Sequence, residues 1–445
     1  MPLKRETFSS NFGLLMTMIG VAVGLGNVWR FPYMVGKFGG ASFVLFYLAA
    51  VFIIGIPALM AEWALGRYTR RGTLGAFEKG GLPGGKYVGG FLFCVVFFAT
   101  AYYSNAIGWV GYYGISQLVN AFGPTMNPEV ILPPDQGFIG TSFFRQIIMT
   151  GSVILASAIV LIKGLRKGIE KVSKFIMPLL FLIIIILIIR AVTLPGSGEG
   201  LKWYMGDFTF KNLTGPVMAA ALGHAIFSLS LGGTFMVVYG SYLAKSTSIP
   251  KNSIFTGIAD LFAGLFAGFA IFPAVFAFGL EPDSGPGLIF STLPKTFSMM
   301  PAGQLFGLLF FLGLFCAAYL SVIAAFEVLV AGLTDNTKMK RKWAVWLVCG
   351  IVMLLAIPSM INLKIFVPWD LFFGSGMQTL GAVLAIITTV WCIKKSMALK
   401  ELSEGSKRPF PIFLYWWMRI VIPLAVLFVG LNWLFESVFN IKIFD

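Results

Sequence analysis

The first apolar segment of the chain breaks in the middle. Residues 14–23 are almost wholly apolar, and Gly24-Leu25-Gly26-Asn27 and Val28-Trp29-Arg30-Phe31-Pro32-Tyr33 follow. Two glycines, an Asn, an Arg and a Pro thus stand at membrane depth. Lipid cannot hydrogen-bond the backbone groups a break frees, so irregular backbone survives there only when buried in protein or lining a water-filled cavity. A broken helix of this kind points to a binding site in a secondary transporter.

Hydrophobic residues are 58% of the chain and charged residues 11%, where a soluble domain carries roughly 25% charge. Runs longer than the roughly 20 residues that cross a bilayer recur throughout. They predict an all-α membrane protein of eleven spans, near 11–36, 40–66, 87–121, 145–163, 174–193, 214–244, 253–280, 301–333, 343–361, 367–393 and 411–439. The net charge of +15 does not indicate nucleic acid, because the cations cluster in alternate loops. Lys163, Arg166, Lys167, Lys171 and Lys174 share one loop, and Lys338, Lys340, Arg341 and Lys342 another. This is the positive-inside pattern. It predicts an N-terminus in the cytoplasm, a C-terminus outside, and a multi-pass plasma (inner) membrane location. No cleavable signal peptide is evident. Cys94, Cys316, Cys349 and Cys392 all fall in apolar segments without metal-ligand spacing, which favours packing over disulfides.

A second break, Phe227-Ser228-Leu229-Ser230-Leu231-Gly232-Gly233-Thr234, lies five predicted helices after the first. Matching interruptions in two halves predict a 5+5 inverted repeat. Residues 1–193 form the first half, 214–397 the second, and 409–445 a peripheral eleventh helix and tail, within one transporter domain. Close packing of small residues is the competing explanation for a single Gly pair; two breaks beside polar residues favour the binding site.

The run from Gly24 to Tyr33 closely resembles the signature of the neurotransmitter:sodium symporter family, which has the leucine-transporter fold. Gly39-Gly40, Gly55-Ile56-Pro57, Glu62, Gly66-Arg67, Tyr102-Tyr103, the second break, Trp369-Asp370 and Gly374-Ser375-Gly376 extend the resemblance along nearly the whole chain. It implies a sodium-coupled importer of amino acids or their derivatives, and no enzyme.

Unwound backbone at Gly24, Leu25 and Gly26 exposes N–H groups and a half-helix N-terminus, which favour a carboxylate. By resemblance, Tyr103 donates its hydroxyl to the same group, with Ala22, Phe227, Ser228 and Ser230 around it. Ala99, Gly233, Val322 and Ala325 are expected to face the substrate side chain. Several of these are small, so a large apolar or aromatic amino acid should fit, with broad selectivity. The first sodium site by resemblance comprises the Ala22 carbonyl, Asn27, Ser228 and Asp260. An acid at membrane depth is a functional candidate in its own right. The second comprises the Gly20, Val23 and Ala317 carbonyls and Ser321. Leu320 stands where relatives carry an oxygen ligand, so one or two sodium ions are expected.

The outer gate is expected to pair Arg30 with Asp370, beneath which Phe227 and Tyr103 close; Arg suits a desolvated carboxylate through its planar fork. The inner gate joins Arg5 to Asp335 near Tyr242 and Glu327. His224 replaces a common Gln beside the outer gate; it is either a proton switch or a neutral His hydrogen-bonded to gate residues. With the Asp260 carboxylate beside the first sodium, no chloride requirement is expected. The expected partners are an amino-acid substrate and the bilayer, with no nucleic acid; oligomeric state is not readable. A channel or scaffold would explain the helices and charge bias, but not the paired breaks with Asn27, Tyr103 and Asp260.

Overall fold

A computed structural model describes residues 5–123, 125–134, 140–212, 214–282 and 287–437. Lys4, Lys442 and residues 438–445 of the predicted tail lie outside the described residues. The architecture is all-helical. Nine helices are long and apolar enough to cross a membrane among the described residues. They are α3 (Ala41–Thr69), α4 (Gly85–Asn120), α5 (Phe143–Ile162), α6 (Leu165–Val192), α9 (Ile249–Ala277), α10 (Gly303–Asn336), α11 (Arg341–Ile361), α12 (Leu363–Cys392) and α14 (Ile412–Phe435).

A tenth span is the bent pair α1 (Asn11–Ala22) and α2 (Gly26–Phe38), which meet at 52°. The predicted sixth helix is divided into α7 (Gly215–Ser228) and α8 (Phe235–Gly240). Neither piece alone passes as a span, so the expected eleven rests on taking the two together. A short amphipathic helix, α13 (Lys395–Ser403), links α12 to α14. The predicted fifth span begins earlier than expected, because a π-turn at Leu165–Ile169 carries the helix back through the basic loop.

The first break is sharper than the sequence indicates. Val23 is extended, and a π-turn, Gly26–Arg30, restarts the helix at once. Close approach demands the glycines: a Cβ on Gly24 would lie 2.6 Å from Ser321 Oγ, and one on Gly26 3.1 Å from the Phe227 ring. In the second break Ser230, Gly232 and Thr234 all have positive φ. The Gly232 N–H freed there donates to Glu62 Oε1 of α3 at 2.7 Å, which satisfies a buried donor that the helix can no longer serve.

At two glycines the backbones of α3 and α8 touch directly. A Cβ on Gly66 would lie 1.9 Å from the Val237 carbonyl oxygen, and one on Gly240 2.8 Å from backbone atoms of Trp63. Contacts of this kind are the membrane equivalent of a jigsaw core, where small residues let helices approach. Around both breaks α10 packs along α4, and α9 along α1, α2 and α6.

Candidate functional site

The two breaks face one another and enclose a cavity. Its lining includes Val21, Ala22, Gly24, Leu25 and Gly26 from the first break, Phe227, Ser228, Ser230 and Phe235 from the second, Ala99, Thr100, Tyr102 and Tyr103 from α4, Ser321 and Ala325 from α10, and Gln378 from α12. The Tyr103 hydroxyl accepts from the Leu25 N–H at 3.2 Å. Ser230 donates to the Val21 carbonyl at 2.8 Å and ties the breaks together.

Most predicted pocket residues meet here, but two do not. Val322 is fully buried in the core and does not line the cavity. Gly233 is covered by Phe235, whose ring would lie 2.0 Å from a Cβ at that position. The left-handed turn at Thr234 swings Phe235 back toward the cavity. Phe235, Thr100 and Gln378 therefore join the lining, and the sequence carried no local signal for them.

Beside the cavity, Asn27, Ser228 and Asp260 form one cluster. The Asn27 amide nitrogen donates to Ser228 Oγ (2.9 Å), to the Asp260 carbonyl (2.9 Å) and to Asp260 Oδ1 (2.8 Å). Ser228 donates to Asp260 Oδ2 at 2.6 Å, and Tyr47 donates to Ser228 at 3.2 Å. Asn27 Oδ1 accepts the Gly24 N–H at 3.0 Å, closing the break. Asp260 is wholly buried, yet among the described residues no Lys or Arg is bonded to it. A buried carboxylate held only by neutral groups is costly. Oxygen-rich surroundings of this kind fit a small hard cation.

The second set also converges. Ser321 donates to the Val23 carbonyl at 3.1 Å and to that of Ala317 at 3.4 Å. Leu320 lies against Gly20, its Cδ1 2.7 Å from where a Cβ would be. Ser321 thus draws the Val23 and Ala317 carbonyls together, with the Leu320 hydrocarbon beside Gly20.

Above the cavity the Arg30 guanidinium lies 4.4 Å from the centre of the Phe227 ring. Asp370 is hydrogen-bonded to Tyr102 and lies within electrostatic reach of Arg30. His224 does not hydrogen-bond to these residues. Both its ring nitrogens lack partners among the described residues. It is boxed by Phe31 (5.6 Å), Phe43 (6.3 Å) and Tyr47 (5.0 Å). The expectation of a His hydrogen-bonded to gate residues is corrected on this point.

On the side of the N-terminus, Arg5 forms an ion pair with Asp335 and stacks over Tyr242 at 4.7 Å. Burial pushes the Arg5 pKa down, but Tyr242, Asp335 and Glu327 together outweigh it and the net shift is upward. Tyr242 donates to Glu327 Oε1 at 2.5 Å. Glu327 also pairs with Arg341 at 2.5 Å, a partner the sequence reading missed, although Arg341 is the one Arg in its basic loop. Gly72 N–H binds Asp335 as well, at 2.7 Å.

The family model described as the sodium:neurotransmitter symporter family matches residues 5–125 and 141–441. The chain belongs to that family. An uncharacterized sodium-dependent transporter of Haemophilus influenzae is 33% identical over 456 residues, 97% of this chain and 99% of that protein. The uncharacterized sodium-dependent transporter YhdH of Bacillus subtilis is 32% identical over 450 residues, 96% of this chain and 98% of that one. The crystal structure of MhsT in complex with L-phenylalanine matches with a TM-score of 0.82 at 32% identity, covering 96% of this chain and 99% of that one. As a symporter-family member, the chain is a sodium-dependent membrane transporter rather than an enzyme.

Proposed function

We propose that the chain is a sodium-coupled symporter that imports a hydrophobic L-amino acid, aromatic side chains included, by alternating access and without a chloride requirement. The observation that carries this reading is the Asn27–Ser228–Asp260 cluster, a buried acid without a cationic side chain, placed beside an unwound helix end. Sodium is cargo here. Asp260, Asn27, Ser228 and the Ala22 carbonyl would hold one ion, and the Gly20, Val23 and Ala317 carbonyls with Ser321 a weaker second. The substrate carboxylate would take N–H groups at Leu25 and Gly26, displacing the Leu25–Tyr103 bond, and the Tyr103 hydroxyl proton, while the Gly24 N–H stays on Asn27.

The side chain would extend between Ala99, Ala325, Phe227 and Phe235. L-Phenylalanine is bound by MhsT, and a similar ligand class suits these apolar walls. The Asp260 carboxylate supplies negative charge beside the ion, which is the basis for chloride independence. The Arg5–Asp335 pair would seal the inner pathway, while Arg30, Phe227, Tyr103 and Asp370 close the outer one. The charge distribution favours an N-terminus in the cytoplasm, a C-terminus outside and a plasma (inner) membrane location. Residues 1–193 and 214–397 are read as inverted halves.

The test is uptake of radiolabelled L-phenylalanine, L-tryptophan and L-leucine by proteoliposomes under an inward sodium gradient. Sodium-dependent accumulation above the external concentration is expected, with mutual competition among the three. Uptake that is unchanged when potassium replaces sodium would sink the reading.

A further inference from the structure

At the corner where α12, α13 and α14 meet, cations and indole rings are built into one ladder. The Arg419 guanidinium lies 5.2 Å from the Trp391 ring and 5.5 Å from that of Trp416. Lys395 Nζ approaches the same Trp416 ring at 5.0 Å. Trp391 donates its indole N–H to the Arg419 carbonyl at 2.8 Å, which fixes the rings against the helix. Two cations thus share one indole from opposite elements, an arrangement held by ring quadrupoles.

Among the described residues neither cation is neutralised. The acids of the neighbouring segment are engaged elsewhere: Glu401 with Arg67 and Lys245, and Glu404 with Lys245. Among the described residues, Lys395 and Arg419 have no ion pair and donate no side-chain hydrogen bond. Arg419 stands seven residues into α14, about 10 Å along its axis, from where its long side chain can snorkel to the headgroups. From Trp416 an exposed apolar face continues down the same helix through Ile420, Leu424 and Leu427, spaced to form one stripe.

We propose that this corner binds the phosphate headgroup of an anionic phospholipid, with one acyl chain along the stripe. A zwitterionic headgroup pairs its phosphate with its own ammonium and would bind more weakly. A soluble phosphate ester has the charge but nothing to lie on the stripe. Basic residues at the membrane surface attract anionic lipid generally; the ladder makes the attraction local.

The experiment uses the full chain, recovered in detergent from mixed phosphatidylcholine and phosphatidylglycerol vesicles, with retained lipid measured per protein by mass spectrometry. Lys395→Gln with Arg419→Gln is expected to lower phosphatidylglycerol retention roughly tenfold. Removal of equal charge from another basic loop, by Lys338→Gln with Lys342→Gln, should leave retention unchanged. Lys395→Arg with Arg419→Lys keeps charge and stacking and should restore it, which separates lipid binding from misfolding. Equal loss in both neutralised variants, no loss in either, or displacement of the lipid by glycerol 3-phosphate would each overturn the proposal.

Discussion

Asn27 holds Asp260 by two hydrogen bonds across 233 residues of sequence, one to its carbonyl at 2.9 Å and one to its carboxylate at 2.8 Å. The break in the first helix and the acid of α9 are thereby one unit. Whatever displaces the acid also disturbs the backbone at Gly24, because Asn27 caps that backbone with its other amide atom.

Asp260→Ala should therefore strongly weaken sodium-dependent substrate binding. Loss of a charged acceptor from a buried network costs about 1.5–3 kcal/mol per bond, so apparent sodium affinity should fall at least about tenfold. Equilibrium binding of labelled amino acid against sodium concentration measures it. An unchanged sodium dependence would remove Asp260 from the site.

Leu320 predicts a weak second sodium. The Hill coefficient for sodium in wild-type uptake should lie near one, and Leu320→Thr should raise it by adding an oxygen opposite Gly20. A wild-type value near two that the substitution leaves alone would count against this.

Replacement of chloride by gluconate should leave uptake unaltered, since Asp260 supplies the negative charge. A large loss would mean that an anion is needed in addition to that carboxylate.

Arg341→Ala leaves the buried Glu327 with Tyr242 as its hydrogen-bond partner among the described residues. Removal of one member of a buried ion pair destabilises by about 3–5 kcal/mol. The thermal unfolding midpoint in detergent should drop clearly, whereas Lys338→Ala, in the same loop, should have little effect.

His224 sits among rings with no hydrogen bond to lose. Replacement of unpartnered polar atoms by an apolar group of similar shape is close to neutral. His224→Phe should fold with an unaltered unfolding midpoint. A marked drop would mean that the imidazole nitrogens do have partners in the membrane.

The positions of both breaks were legible because they combine residue types that membrane helices otherwise exclude, whereas the grouping of Asn27, Ser228 and Asp260 was legible only through the family resemblance. The π-turn at Gly26–Arg30 was not, since an extra residue per turn leaves no mark in composition. Phe235 was missed for a related reason. Its direction depends on left-handed backbone at Ser230 and Thr234, which side-chain pattern does not predict for Ser or Thr. Arg341 reaches Glu327 across the turn between consecutive helices, and the box around His224 joins α2, α3 and α7; periodicity within a segment carries no information about contacts between segments.

The touching backbones of α3 and α8 constrain how the molecule can move. Where two helices meet with no side chains between them, neither can slide or tilt alone without driving backbone into backbone. The short helix beyond the second break must therefore travel with α3 as one rigid body. The extended residue Val23 places no such restraint on α1, which is held instead by side chains, Leu320 against Gly20 and Ser230 on the Val21 carbonyl.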